Sequence, residues 1–173
     1  ICGEVHDPVC YLMGGVAGHA GLFSSAADLA IFARMLLAGG EYGGARILSP
    51  HAVETMTIPQ SPGVRHARGL GWDIEAPFAS NRDDLPPVGA FGHLGYTGTS
   101  LWIDPVMGIY VIVLTNRVHP DGKGDVKELR AQVRATVSRA LGPLSETQIL
   151  AKRPELSRYF EKIGHGISRR RGE

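Results

Sequence analysis

Two apolar runs joined by turn chemistry constrain this chain more than anything else in it. Thr99 to Ile103 is the first and Gly108 to Thr115 the second, with Asp104-Pro105-Val106-Met107 between them. Such a pattern predicts an antiparallel hairpin. The second run is apolar on both faces from Ile109 to Leu114, which predicts a central strand covered on both sides. Cover for one face is at hand. Asp125 reads as the cap of a helix with a stripe of Val126, Leu129, Val133, Val137 and Ala140, stopped by Gly142-Pro143.

Upstream, helical signals alternate with loops. Ser25 and Asp28 form an S-x-x-D variant of the capping box, and Leu29, Phe32, Ala33, Leu36 and Leu37 follow as one apolar stripe up to Gly39-Gly40. Ser49 and Pro50 suit the N-cap and first position of a second helix, running to about Met56 and ending before Pro59. Leu70, Trp72 and Ile74 alternate with Gly71, Asp73 and Glu75, the period of a half-buried strand. Residues 11–24, 60–69 and 76–90 read as loops, the first rich in glycine. A further helix is expected from Glu146 to about Ile163, interrupted at Pro154, before a charged tail from Ser168 to Glu173. Trp72 and Trp102 read as core or cleft wall. These elements predict an α+β fold: an antiparallel sheet covered by a C-terminal helix and joined to a partial helical lobe. The expected division is a main unit over 1–142 and a helical or disordered extension over 143–173.

Composition narrows the function classes. Eighteen Lys and Arg against seventeen Asp and Glu leave a net charge of +1, so nothing calls for nucleic acid or an anionic membrane as partner. The hydrophobic fraction of 43% is enough for a core. The 23 glycines and 11 prolines in 173 residues, about a fifth of the chain, indicate many tight turns. No apolar stretch approaches the ~20 residues of a membrane span. Cys2 and Cys10 are the only cysteines and read as free thiols rather than a disulfide framework. The chain begins at Ile1 and carries no signal peptide to read, so its beginning is expected to lie elsewhere.

Chemistry concentrates in Phe91-Gly92-His93-Leu94-Gly95-Tyr96-Thr97-Gly98-Thr99-Ser100, which leads into the hairpin. A glycine at a strand entry lets a ligand lie against backbone. The Tyr96 N–H is then placed to meet a carbonyl oxygen as half of an oxyanion hole. His93 offers a proton relay or a hydrogen bond to a carboxylate. The competing account is a glycine-rich strand entry with an internally satisfied histidine.

His93-Leu94-Gly95-Tyr96-Thr97-Gly98 resembles the H-x-G form of the third motif of the serine β-lactamase and penicillin-binding-protein superfamily, in the branch of class C β-lactamases, D-aminopeptidases and related esterases. Lysine-threonine-glycine is the better-known form. Gly14-Gly15-Val16 through Asp28-Leu29 is similar to that family's glycine-rich segment entering a helix. The hairpin ending at Asn116 and the helix after it fit the family's C-terminal end. The resemblance covers residues 3–142. It implies an antiparallel sheet with flanking helices beside a helical lobe, no cofactor, and acyl transfer on an amide or ester: a β-lactam, a D-amino-acid peptide or a small ester. It also implies that His93 and Tyr96 serve catalysis, with Gly95, Thr97, Gly98 and His19 against the substrate.

The family's nucleophile lies in S-x-x-K and its proton-relay tyrosine in Y-x-N. No serine here has a lysine three residues on, and none of the tyrosines at 11, 42, 96, 110 and 159 has an asparagine two residues on. There is no G-x-S-x-G elbow either. The expectation is therefore the C-terminal part of such a hydrolase, partnered by a small-molecule or peptide substrate and by the missing N-terminal segment of the same fold. A non-catalytic binding or scaffold module acting with a partner chain is the alternative. Ser24 and Ser25 sit near His19 in the glycine-rich loop, but Ser25 reads as a helix cap. His19 either reaches the cleft or is an ordinary loop histidine. His6, Asp7, His19 and His93 lack metal-ligand spacing, so no metal is expected. Family resemblance leaves the compartment open between periplasmic or secreted and cytoplasmic.

Overall fold

The computed structural model describes residues 2–60, 67–75, 90–142, 145–158 and 161. Its core is a five-stranded antiparallel sheet: β3 (Ala67–Arg68), β4 (Asp73–Glu75), β5 (Phe91–Leu94), β6 (Ser100–Asp104) and β7 (Ile109–Val113), hydrogen-bonded in that order. A small hairpin of β1 (Glu41–Tyr42) and β2 (Ala45–Arg46) stands apart. The helices are α1 (Pro8–Leu12), α2 (Ala26–Leu37), α3 (Pro50–Thr57), α4 (Lys127–Leu141) and α5 (Glu146–Lys152), with a 3₁₀ turn at Pro154–Leu156. Helices and an antiparallel sheet segregate as an α+β fold requires.

The β6–β7 hairpin forms in the expected register, with Ser100 opposite Val113 and Asp104 opposite Ile109. Asp104 makes its turn: Oδ1 accepts from Val106 N at 2.8 Å and from Met107 N at 3.0 Å. Side chains of opposite residues share a face. Leu101, Ile103 and Tyr110 pack with the main core, which α2 covers. Ser100, Trp102, Val111 and Val113 face Arg130, Val133 and Arg134 of α4. The second run is thus covered on both faces, as its composition predicts. It is not central, however, because β7 is the last strand of the sheet among the described residues. Apolarity reports what lies above and below a strand, not how many hydrogen-bonding neighbours it has.

The core gathers Ala33, Met35 and Leu36 of α2, Val53 of α3, Trp72, Ile74, Phe91, Ile103, Ile149 and Leu156. Each large side chain fully buried there contributes about 1.5–3 kcal/mol. Ile149 and Leu156, at 3% and 1% exposed, bring α5 and the 3₁₀ turn into this core. Arg153 between them donates through Nη2 to Thr57 Oγ1 at 3.1 Å and pairs through Nε with Glu155. Both tryptophans are buried.

Helix ends follow the sequence. Ser25, Ser49 and Ser145 each accept an N–H from the first turn, and Ser145 closes a full capping box with Gln148. Several expectations are corrected. The glycine-rich stretch opens with α1, started by Asp7 as N-cap and Pro8 at its first position; that Asp-Pro pair is an N-terminal signal. β3 occupies part of the expected 60–69 loop. Around 70–75, Leu70 is exposed while Asp73 is buried with Trp72 and Ile74, because Arg68 supplies Asp73 with a counter-ion at 2.7 Å. On α4, Leu129 is exposed and Arg134 is buried, so the stripe is turned toward its arginines. Asp125 is not the N-cap: the helix begins at Lys127 with Val126 in the cap position, and Asp125 stands one residue earlier, its Oδ1 accepting the Lys127 N–H at 2.9 Å. The expected loop over 76–90 except its last residue, the end of the last helix at Ile163, and the tail from Ser168 lie outside the described residues.

Candidate active site

β5 ends at Leu94 and the chain turns sharply before β6. Gly98 N donates to Gly95 O at 3.0 Å, and Gly95 N to Thr99 O at 2.8 Å. The turn is backed by the segment that follows β7. Arg117 Nε donates to Tyr96 O at 2.7 Å, Arg117 N to Thr97 O at 2.8 Å, and Thr115 Oγ1 to Gly98 O at 2.6 Å. All four carbonyls from Gly95 to Gly98 therefore have donors. Among the described residues neither the Tyr96 nor the Thr97 N–H has an acceptor; Tyr96 is the more exposed residue, at 72%. A peptide group whose carbonyl side is fixed and whose amide side is open is a preorganised donor.

Glycine has two distinct reasons to be here. A Cβ on Gly95 would stand 2.1 Å from Thr99 Oγ1, so the vacated space holds a neighbour's hydroxyl. Gly98 has φ +118 and a Cβ there would lie 2.9 Å from Thr115 Oγ1. Thr97 lies between them, half-buried.

Two groups pack against the Tyr96 ring. Arg117 lies over it, 4.5 Å from the centroid, and the His6 ring stacks at 5.9 Å with an interplanar angle of 28°. Asp7 follows His6, and its Oδ1 accepts from His19 Nε2 at 2.9 Å and from Cys10 N at 2.7 Å. Those two donors, the Cys10 amide first, hold the Asp7 carboxyl below the ordinary carboxylate range. His19 is thereby tied one step from the turn, through the Asp7 neighbour of the stacked ring. Ser25 is a cap: its Oγ accepts from Asp28 N at 3.1 Å and donates to Asp28 Oδ2 at 2.8 Å. Cys2 and Cys10 are free thiols.

His93 is exposed and meets Leu94 O through Nδ1 at 2.8 Å and Arg68 Nη2 through Nε2 at 3.3 Å. Neither His93 nor Tyr96 is enclosed in packed interior. A hollow of about 550 Å³ at the end of α2, lined by Arg34, Ala38, Glu41, Tyr42 and Gly43, shares no residue with this turn. Among the described residues no group of three or more His, Cys, Asp or Glu side chains is arranged to hold a metal ion. No described helix is long and apolar enough to cross a membrane.

Sequence reasoning missed Arg68, Asp73 and Arg117 as neighbours of the turn. Only a cross-strand register brings Arg68 and Asp73 to β5, and no local pattern announces it. Arg117 follows the hairpin directly, and a basic residue so close to a strand end was the one signal available.

The chain matches the family model described as Beta-lactamase over residues 3–135. A protein of Escherichia coli O157:H7 named "Putative D-alanyl-D-alanine carboxypeptidase" is 38% identical over 120 residues, covering 68% of this chain and 27% of the relative. A protein of the same name from Escherichia coli strain K12 is 37% identical over the same shares. A crystal structure described as "putative beta-lactamase from Bacteroides dorei DSM 17855" superposes with a TM-score of 0.47 at 22% identity, covering 73% of this chain and 44% of that one. The chain spans about a quarter of the length of the curated relatives it matches.

Proposed function

The chain belongs to the Beta-lactamase family, and on that premise we propose that it forms the acyl-binding wall of a serine hydrolase acting on amide bonds of D-amino-acid peptides. In this reading the Tyr96 N–H receives the carbonyl oxygen of the scissile bond. His93 faces the substrate beside it, and Gly95, Thr97 and Gly98 hold the strand entry in place. His19 completes the rim through Asp7. The observation that carries the reading is the turn at Gly95–Gly98, with every carbonyl tied back and the Tyr96 and Thr97 amides left without an acceptor among the described residues, Tyr96 being the exposed one of the two. A single oxyanion donor of this kind is worth about 2.7–4 kcal/mol in a transition state. The relatives' names favour a D-alanyl peptide over a β-lactam or a small ester.

The serine is supplied by polypeptide outside this chain, since no S-x-x-K or Y-x-N occurs in it. That serine oxygen attacks the carbonyl carbon, its proton passes to the leaving amine, and water then releases the acyl group. The upstream segment of the same fold is accordingly a partner of this chain. Co-expression with a nucleophile-bearing upstream segment of a relative tests the reading. Turnover of a D-alanyl-D-alanine peptide, an ester or a β-lactam by the pair, with none by this chain alone, is the expected result. Stoichiometric labelling of a serine in the isolated chain by a fluorophosphonate would overturn it. Tight binding of the peptide without turnover by any pairing would favour a non-catalytic module instead.

A further inference from the structure

We propose that Arg68, anchored on Asp73, is a positioning residue that fixes the tautomer of His93, placing the imidazole's single proton on Nδ1 and its lone pair on Nε2.

The argument runs from the sheet register to the ring. Arg68 pairs with Asp73 across β3 and β4, and Asp73 pairs with Gly92 across β4 and β5, one residue from His93. The β3–β4 register shifts between Ala67 and Arg68, an irregularity of the kind that re-aims a side chain beside a functional site. The guanidinium bridges two targets. Nη1 lies 2.7 Å from Asp73 Oδ1, as an ion pair rather than a linear hydrogen bond. Nη2 lies 3.3 Å from His93 Nε2. Asp73 is 2% exposed, so the anchor is fixed even though the arginine stem is half exposed.

The ring's protons follow from the partners. A guanidinium donates and never accepts, so His93 Nε2 is the acceptor. A backbone carbonyl only accepts, so Nδ1, 2.8 Å from Leu94 O, is the donor. The two contacts agree on one tautomer, and a partner on one ring nitrogen decides the state of the other. A proton on Nε2 would set two donors against each other. Histidine in water prefers the opposite tautomer, so this one is imposed by its surroundings.

The consequence for catalysis rests on the proposed hydrolase reading: His93 would meet a substrate with an orientation already set. The tautomer itself does not depend on that reading, and its test needs no turnover. The ring ¹⁵N signals of His93 in the ¹⁵N-labelled 173-residue chain, in mildly alkaline buffer, report which nitrogen carries hydrogen. Expected is a protonated-type signal at Nδ1 and an unprotonated-type signal at Nε2. Arg68→Met should move the ratio toward the Nε2–H form by about fivefold, the worth of one net hydrogen bond, and Arg68→Lys should keep most of the original ratio. A predominantly Nε2–H ring in the unsubstituted chain, or an unchanged ratio in Arg68→Met, overturns the proposal. Should Arg68→Met fail to fold, the unsubstituted chain compared with its urea-unfolded form decides the matter. An upheld tautomer alongside an inactive reconstituted pair would sink the hydrolase reading and leave this inference standing.

Discussion

The guanidinium of Arg117 covers the face of the Tyr96 ring at 4.5 Å while its Nε donates to the carbonyl of the same residue at 2.7 Å. One side chain thus fixes both the ring and the peptide plane of Tyr96. Arg117→Ala keeps the backbone bond from residue 117 to Thr97 O and loses both contacts to Tyr96, together with the Nη1 bond to Gly124 O at 3.2 Å. The expected cost is about 1–2 kcal/mol, since the three lost contacts are at exposed sites. Its location is the informative part: the hydrogen-bonded amides of Gly95 and Gly98 should exchange hydrogen faster while those of β6 do not change. Uniform acceleration across the sheet would show that Arg117 supports global stability and not the turn.

Gly95 and Thr99 form a complementary pair, because the missing Cβ leaves the space the Thr99 hydroxyl fills. Gly95→Ala should destabilise by about 1–3 kcal/mol, the usual range for overpacking. Thr99→Ala empties that space, so the double variant should recover most of the loss. A double-mutant cycle by urea denaturation checks this. Additive costs would mean that the strain lies in the backbone and not in this contact.

Much of this fold was legible because it is written in local signals. Ser25, Ser49 and the Asp104 turn each act within three residues of themselves, and the hairpin register follows from the turn. What was not legible depends on partners far along the chain. Asp73 reads as an outward polar residue until Arg68 is placed beside it. Arg134 reads as the exposed flank of a helix until the sheet arrives beneath it. The His93–Gly98 turn could be singled out by its glycines and histidine. That its carbonyls are tied back by Thr115 and Arg117 could not, since this requires knowing how β7 returns past β5.

Asp104 is 3% exposed, and burial raises its carboxyl above the ordinary value of 3.8, against the opposing pull of the Met107 and Val106 amides and of Arg153. The native state then holds this proton more tightly than the unfolded chain does. Stability therefore falls as pH rises from about the ordinary value through the folded-state value, and levels off above it. Asp104→Asn removes that titration and retains an oxygen for the Val106 and Met107 amides. The variant's stability relative to the parent should rise across the same pH window and then stay flat. Urea denaturation at stepped pH measures it. A relative stability that falls with rising pH would mean that attraction to Arg153 outweighs burial.

β7 ends the sheet among the described residues, and its five residues are all half-buried under α2 and α4. An edge strand this apolar is a template for another strand, because it offers a row of N–H and C=O groups with hydrophobic cover on both sides. We expect the isolated chain to self-associate through this edge as its concentration rises, and to melt over a lower, concentration-dependent range. Successive residues of a strand direct their N–H groups to opposite sides, so Val111→Pro and Ile112→Pro should differ sharply. One removes a donor used by β6 and should unfold the hairpin; the other removes an outward donor and should lower self-association with the circular dichroism of the sheet preserved. Sedimentation velocity over a concentration series, with circular dichroism on the same samples, separates the two. A parent chain that stays monomeric throughout and melts cooperatively at high temperature would show that this edge is already protected.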